Sequence, residues 1–363
     1  MKSILFILFA LEVSFGYTQS ITPQSEGLKI IHTISANPVQ DQSLSSTCWS
    51  FASNSFIESE LMKHSVSPVK LSEMFIARYS YINKVYQYLA KRGGVFFTPG
   101  GQFHDVIKVI KKYGMVPEDI YYGAESNQPG IRYDHQLLDT AMHILVLRLL
   151  KEDKISPSAN DLLEINKLLD KYIGTVPATF IYRGRSYTPL SFAKNYLHFD
   201  PEDYIEITSY THHLPYTKFI LEDKYNWTLD YFHNVPLHDF MEITDNALKT
   251  GYSVCWDGDV EEPGFLYEQG IAYLLKDQNN SDLARQTTFE DKTTSIDHMM
   301  HVIGTATDKD HKSWYYVKNS WGNTTNAFGG YLFMQRDYFK IKTVAIIVNK
   351  NAIPEAIRKK MKL

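Results

Sequence analysis

Cysteine is scarce in this chain: Cys48 and Cys255 are the only two among 363 residues. Two thiols allow one bridge at most, which excludes a disulfide-stapled scaffold and any cysteine-rich zinc module. An excess of charge of one sign is also missing. Lys and Arg number 37 against 41 Asp and Glu, for a net charge of −4, so a broad positive field for nucleic acid is excluded. There is no internal repeat, no low-complexity tract and no long Gly/Ser linker. After residue 20 no run is apolar enough to span a bilayer. What is present is ordinary globular material: 44% hydrophobic and 14% aromatic residues, ample for a core in one large domain or two medium ones.

The first twenty residues, MKSILFILFALEVSFGYTQS, stand apart. Lys2 is a short positive region, Ile4 to Leu11 is unbroken apolar sequence, and Ser14 and Gly16 are small residues at a cleavage spacing. This is the pattern of a secretory leader removed near residues 16–20. It predicts export to a periplasmic or extracellular space, with residues 21–363 as the mature chain.

Helical periodicity dominates the first two thirds. Trp49, Ala52, Phe56, Ile57 and Leu61 mark one face of a helix from about Cys48 to Lys63. Phe103, Val106, Ile107 and Ile110 repeat at helical spacing, with Gly114 as the stop. Leu137, Leu138, Ala141, Ile144 and Leu145 form another such set. Ile165, Leu168, Leu169 and Tyr172 form the next, ended by Gly174. The last third reads as short strands at 301–307, 314–318, 331–334 and 344–349, separated by turn residues. Helices first and strands later predict an α+β architecture with segregated lobes and a cleft between them.

Three stretches carry chemistry. In the first, Ser45, Ser46 and Thr47 are good helix caps, so Cys48 falls in the first turn. A helix start there stabilises a thiolate and lowers its pKa. Gln42, six residues earlier, offers an amide N–H to an oxyanion beside the Cys48 backbone N–H. The second is Asp297-His298-Met-Met-His301. The third is Lys318-Asn319-Ser320-Trp321-Gly322. A thiol nucleophile needs a histidine near neutral pH, and the histidine needs a group that fixes its tautomer. Each stretch alone also has a plainer reading, as a packed cysteine, a strand-end histidine and a turn. His298 and His301 are three apart on a strand and face opposite ways, which argues against a shared metal. No metal or cofactor is called for.

Together and in this order, the three stretches resemble the active-site blocks of papain-like cysteine peptidases. The resemblance implies Cys48 as nucleophile, His298 as base, Asn319 as its orienting partner and Gln42 in the oxyanion hole. Trp321 would shield the His–Asn hydrogen bond. Pro99-Gly100-Gly101-Gln102 resembles the family's glycine wall, where Gly100 and Gly101 would pair with substrate backbone. The papain disulfide cysteine is missing at Ser45, and 250 residues separate Cys48 from His298, against roughly 130–150 in the simple pattern. The excess is an insertion at about 125–250. It is similar to the bleomycin hydrolase branch, also called aminopeptidase C, as are Lys70-Leu-Ser-Glu73, Gly174–Phe180, Thr188–Phe192 and Gly251–Val260.

The implied fold is papain-like and two-lobed: a helical lobe, a β-barrel-like lobe and a largely helical insertion. The implied activity is thiol-dependent hydrolysis of peptides, as an aminopeptidase. The alternatives are an open-cleft endopeptidase or a non-catalytic peptide-binding module on the same fold. The branch also implies a homo-hexamer and a C-terminal tail that enters the cleft to hold a substrate amine. Here residues 350–363 form a short tail in which Pro354–Met361 reads as one helix with Ile357 and Met361 on a face. Asn226, Asn279 and Asn323 match glycosylation sequons.

Overall fold

A computed structural model of the protein describes residues 21–124, 132–275 and 278–363. The leader expected at Met1–Ser20 lies outside the described residues. Strand β1 (Lys29–Thr33) precedes a helical lobe made of α1 (Cys48–Lys63), α2 (Glu73–Ala90), α3 (Phe103–Tyr113), α4 (Gln136–Lys151) and α5 (Ala159–Ile173). A hairpin follows, β2 (Phe180–Tyr182) and β3 (Arg185–Tyr187), then the single turn α6 (Pro189–Ser191) and strands β4 (Tyr204–Thr208), β5 (Lys218–Ile220) and β6 (Tyr231–Asn234). Helix α7 (Leu237–Lys249) leads to β7 (Val254–Gly258), β8 (Phe265–Leu266), β9 (Ile271–Ala272) and α8 (Asp282–Glu290). The chain closes with β10 (His298–Thr307), β11 (Ser313–Lys318), β12 (Tyr331–Gln335), α9 (Arg336–Lys342), β13 (Thr343–Asn349) and α10 (Glu355–Met361).

The expected α+β segregation holds, and α1 begins and ends where its sequence pattern does. The glycine stops work as expected: Gly114 and Gly174 adopt φ of +88° and +73°, which a side chain would resist. The main sheet runs β5-β6-β4-β13-β7-β10-β11-β12-β9-β8, with β1 on the free stretch of β10 beyond β7. Strand β10 is its hub. Its first half pairs with β7, so that His298 lies opposite Gly258 and Met299 opposite Asp257. Its second half pairs with β11, which delivers Asn319 at its end.

Three sequence expectations need correction. The insertion carries helices α4, α5 and α7, but it also contributes strands that its sequence pattern does not reveal. Strands β4 and β6, also within it, extend the main sheet, because Ile205 and Ile207 are buried against β13. Helix α1 does not bury one face; it is buried nearly all round, polar residues included. Each of those residues then needs a partner. Ser50 Oγ donates to Glu73 O at 2.8 Å, Ser59 Oγ to Ser35 O at 2.7 Å, and Glu58 accepts from Asn37 and the Leu71 N–H, both at 2.8 Å. Finally, Asn226 is buried and donates to Leu221 O and Asp230 O, so it is closed to a glycan in the folded chain.

The Pro354–Met361 segment is helical as expected. Ile357 and Met361 are buried with Val348, Leu237 and Phe240, and Lys360 reaches Asp239 at 3.4 Å. No described helix is long and apolar enough to cross a membrane.

Candidate active site

The start of α1 and the start of β10 meet at a cleft of about 630 Å³. Gln42, Cys48, Gly100, Gly101, His298 and Trp321 all line it. Sequence reasoning thus named side chains from four separate segments that the fold brings to one place. A cleft of this size suits a small ligand or a few residues of a peptide.

The chain approaches Cys48 through a constrained loop. The Gln42 N–H donates to Ser320 O at 2.8 Å, and Ser43 and Ser46 hold left-handed φ of 48° and 54°. Non-glycine residues rarely adopt that region, and such strain gathers at functional sites. Thr47 takes the cap position, but its hydroxyl pairs with Ser45 Oγ at 2.6 Å and does not cap the helix. Cys48 is the first residue of α1 and is half-buried at the cleft surface, while Cys255 is a fully buried free thiol.

The expectation of a lowered thiol pKa is not met. Burial pushes the Cys48 thiol up to about 12, with the Asp257 charge adding to the rise. The backbone N–H groups of Met299, Trp49 and Cys48 act the other way but do not win. Burial also pushes His298 down to about 4, against the upward pull of Asn319 and Asp297. Both shifts measure the cost of one uncompensated charge in a dry site. A thiolate facing an imidazolium compensates itself in part, so the site favours no charge or two over one. A proton can pass from sulfur to ring without changing the net charge.

The His298 tautomer follows from hydrogen bonding. Asn319 Oδ1 accepts from the Ser320 backbone N–H at 2.7 Å, so this atom must be the oxygen. The same oxygen lies 2.6 Å from His298 Nε2, which must therefore donate. That leaves Nδ1 as the basic nitrogen. Trp321 covers this pair, its ring centroid 4.6 Å from that of His298, and Tyr267 packs on Trp321 edge-on at 4.7 Å. No hydrogen bond joins Cys48 to His298 among the described residues. His301 is turned elsewhere: its Nδ1 meets Ser55 Oγ at 2.9 Å, beside the Lys318 ammonium at 2.8 Å from the same hydroxyl.

Gln42 is held from behind. Ser320 Oγ donates to Gln42 Oε1 at 2.8 Å, which commits the oxygen and leaves the amide N–H groups for the cleft. The glycine loop is likewise backed by the protein. Trp49 Nε1 donates to Pro99 O at 2.9 Å, and the buried Lys84 ammonium donates to Thr98 O at 2.6 Å and to Gly100 O. A Cβ at Gly100 would meet the Tyr225 ring at 2.5 Å, and one at Gly101 would meet the Trp49 ring at 3.0 Å. Glycine is thus required there by close packing within the chain itself.

Sequence reasoning missed other cleft residues: Asp257, Val260, Glu261, Ile296, Met299 and Tyr225 also line it. The signal was available: Asp257, Asp259 and Glu261 alternate at the end of β7, and alternation in extended chain puts such residues on one side. Ser320 and Lys84 were also missed, since each acts through a neighbour and carries no motif of its own.

The profile of the Peptidase C1-like family matches residues 95–363 of this chain. Aminopeptidase C of Lactobacillus delbrueckii subsp. lactis is 25% identical over 304 residues, covering 73% of this chain and 66% of its own length. Aminopeptidase G of the same organism is 26% identical over 278 residues, covering 69% and 63%. The chain therefore spans slightly less than two thirds of these two relatives. A protein called Cysteine proteinase 1, mitochondrial, of Saccharomyces cerevisiae is 22% identical over 397 positions, covering 93% and 80%. Among solved structures, PepW from Lactobacillus rhamnosis HN001 superposes with a TM-score of 0.70 at 19% identity, covering 92% of this chain and 84% of that one. At that identity the likeness establishes the fold: two lobes around a cleft.

Proposed function

Since the chain belongs to the Peptidase C1-like family, we propose that it hydrolyses peptides through the Cys48 thiol. The observation that carries this reading is the fixed tautomer of His298, with Nδ1 left basic in the cleft that Cys48 lines. Cys48 Sγ attacks the peptide carbonyl as its proton passes to His298 Nδ1. The negative oxygen rests on Gln42 Nε2 and the Cys48 backbone N–H. The C–N bond then breaks as His298 gives the proton to the departing amine, leaving a thioester on Cys48. Water, losing a proton to Nδ1, attacks the thioester, and the acid departs as the thiol is restored. Asn319 keeps the ring oriented and Trp321 keeps water off the His298–Asn319 bond.

The test is hydrolysis of a fluorogenic peptide library by the chain lacking residues 1–16, under reducing conditions. Cys48→Ala should lower kcat/KM by at least about 10³-fold while leaving the melting temperature unchanged. Turnover that survives this substitution overturns the reading. The same variant separates a peptidase from a non-catalytic peptide-binding module, which would show no Cys48-dependent turnover at all.

Action at a free amino end is the specialisation that the names of the relatives support, aminopeptidases C and G. A second reading, an open-cleft endopeptidase, is favoured by the position of α10. Ala352, Ile353, Ile357 and Met361 pack into the core, and none of residues 350–363 lines the cleft. Cleavage of N-acetylated against free-amine peptides separates the two. Export through Met1–Ser20 belongs to the same proposal, supported by Lys2 and the apolar run after it. N-terminal sequencing of material recovered outside the cell tests it. Hexamer assembly is the companion expectation, tested by light scattering of the purified chain.

A further inference from the structure

The wall opposite Cys48 contains a carboxyl group that the peptidase chemistry does not use. Asp257 is 2% exposed, yet it lines the cleft, and its Oδ1 has no hydrogen-bond partner. A buried carboxyl with an unmet acceptor costs stability unless something completes it. Its position is fixed by the sheet, directly opposite Met299, the residue after His298. Around it the walls are apolar: Val260, Ile296, Met299 and the Tyr225 ring. Glu261 and Asp297 line the same cleft. Asp297 is itself anchored by Ser295 Oγ at 2.7 Å. No lysine or arginine lines the cleft among the described residues. Lys224 Nζ lies over the Tyr225 ring, 4.9 Å from its centroid.

We propose that this pocket binds a lysine or arginine side chain of the peptide substrate, with Asp257 at its floor as the specificity-determining residue. The proposal rests on the peptidase reading of the same cleft and names the substrate class. A long aliphatic stem ending in a cation matches a cleft that offers Val260, Ile296, Met299 and Tyr225 to the stem and Asp257 to the charge. A substrate's α-ammonium has the same charge but no such stem. The surrounding groups agree. Burial, with the negative charges of Asp223, Glu206 and Asp297 adding to it, holds the Asp257 carboxyl well above the usual range. Glu206 is engaged by His104 at 2.8 Å and is not free to pair with Asp257. A cation bound beside Asp257 favours loss of its proton.

The experiment compares wild type with Asp257→Asn, which is nearly isosteric. The substrates are peptides carrying Arg, Lys, Met or Glu at each position flanking the scissile bond, each made with a free and with an acetylated amino end. Wild type should cleave the best Arg or Lys peptide at least tenfold faster, in kcat/KM, than its Met counterpart. Asp257→Asn should erase that preference while leaving the Met peptide within about twofold. Equal loss on all substrates would make Asp257 structural and overturn the proposal. So would loss confined to the free-amine peptides, which would assign the pocket to the α-ammonium. If no substrate is turned over, the peptidase reading fails separately, and calorimetry then decides the pocket. Binding of an acetylated Arg peptide to Cys48→Ala should release a proton, seen as a buffer-dependent heat, and Cys48→Ala/Asp257→Asn should not release it. Absence of both binding and proton release sinks the pocket as well.

Discussion

The two walls of the cleft treat the buried acceptor oxygens of Asn319, Gln42 and Gly100 on one side and Asp257 on the other in opposite ways. On the Cys48–His298 wall the acceptor oxygens that set the geometry are occupied from within. Asn319 Oδ1 takes Ser320 N–H and His298 Nε2, Gln42 Oε1 takes Ser320 Oγ, and Gly100 O takes Lys84. On the β7 wall, Asp257 Oδ1 is buried with nothing to accept. Buried polar groups that are satisfied internally fix a geometry, whereas one left open marks a place for a ligand to complete. The first wall is built to hold atoms still for a reaction, and the second to choose what is held.

That contrast can be broken most severely on the first wall. Replacing Gln42 with Ala removes one of the two oxyanion donors and should cut kcat by about 10²–10³-fold. KM should change little, because the donor acts on charge that develops only during reaction. Steady-state kinetics on one peptide suffice, and an effect confined to KM would mean that Gln42 only holds substrate. Asn319→Ala should cost about 10²-fold in kcat by freeing the His298 ring. It also removes a bond that raises the His298 pKa. The acid limb of its pH–rate profile should therefore move down, which a merely structural loss would not produce.

The smallest effect is the pH profile of the wild type. Burial holds His298 at about 4, below its ordinary value near 6.5. Nδ1 therefore stays unprotonated as pH falls from 6.5. Activity should persist to about pH 5 and be lost as pH drops through about 4. A limb near 6.5 on a non-basic peptide would show that the ring is solvated. On basic peptides Asp257 adds a second dependence of the opposite origin. Its raised pKa means that a cation must displace a proton, so KM for those peptides should fall as pH rises, and Asp257→Asn should remove this slope.

The walls also differ in how far the sequence reveals them. Cys48, His298 and Asn319 sit in blocks whose residue types carry the chemistry, and the ends of α1 and the glycine stops at Gly114 and Gly174 were legible from periodicity. The thiol environment was not. Capping sequence suggests a lowered pKa, but the outcome depends on desolvation by distant segments, which local sequence does not encode. Strands β4 to β6 escaped notice because each has only three to five residues, and their pairing is decided by β13 far along the chain. The polar burial around α1 escaped for a related reason: Ser50, Ser59 and Glu58 look like a solvated face until their partners from other segments arrive. Asp257 reads as one more acid near a strand end; only the register opposite Met299 turns it toward the cleft.

The central claim is that Cys48 carries the acyl group of a cleaved peptide, and acid-quenched mass spectrometry tests it most directly. The intact chain lacking residues 1–16 would be mixed with a peptide ester, stopped within milliseconds to seconds, digested and mapped. The account predicts a mass increase equal to the acyl group on the fragment containing Cys48, absent in His298→Ala and never found on the buried Cys255. An unmodified Cys48 during turnover, or an acyl group trapped on any other residue, would contradict it.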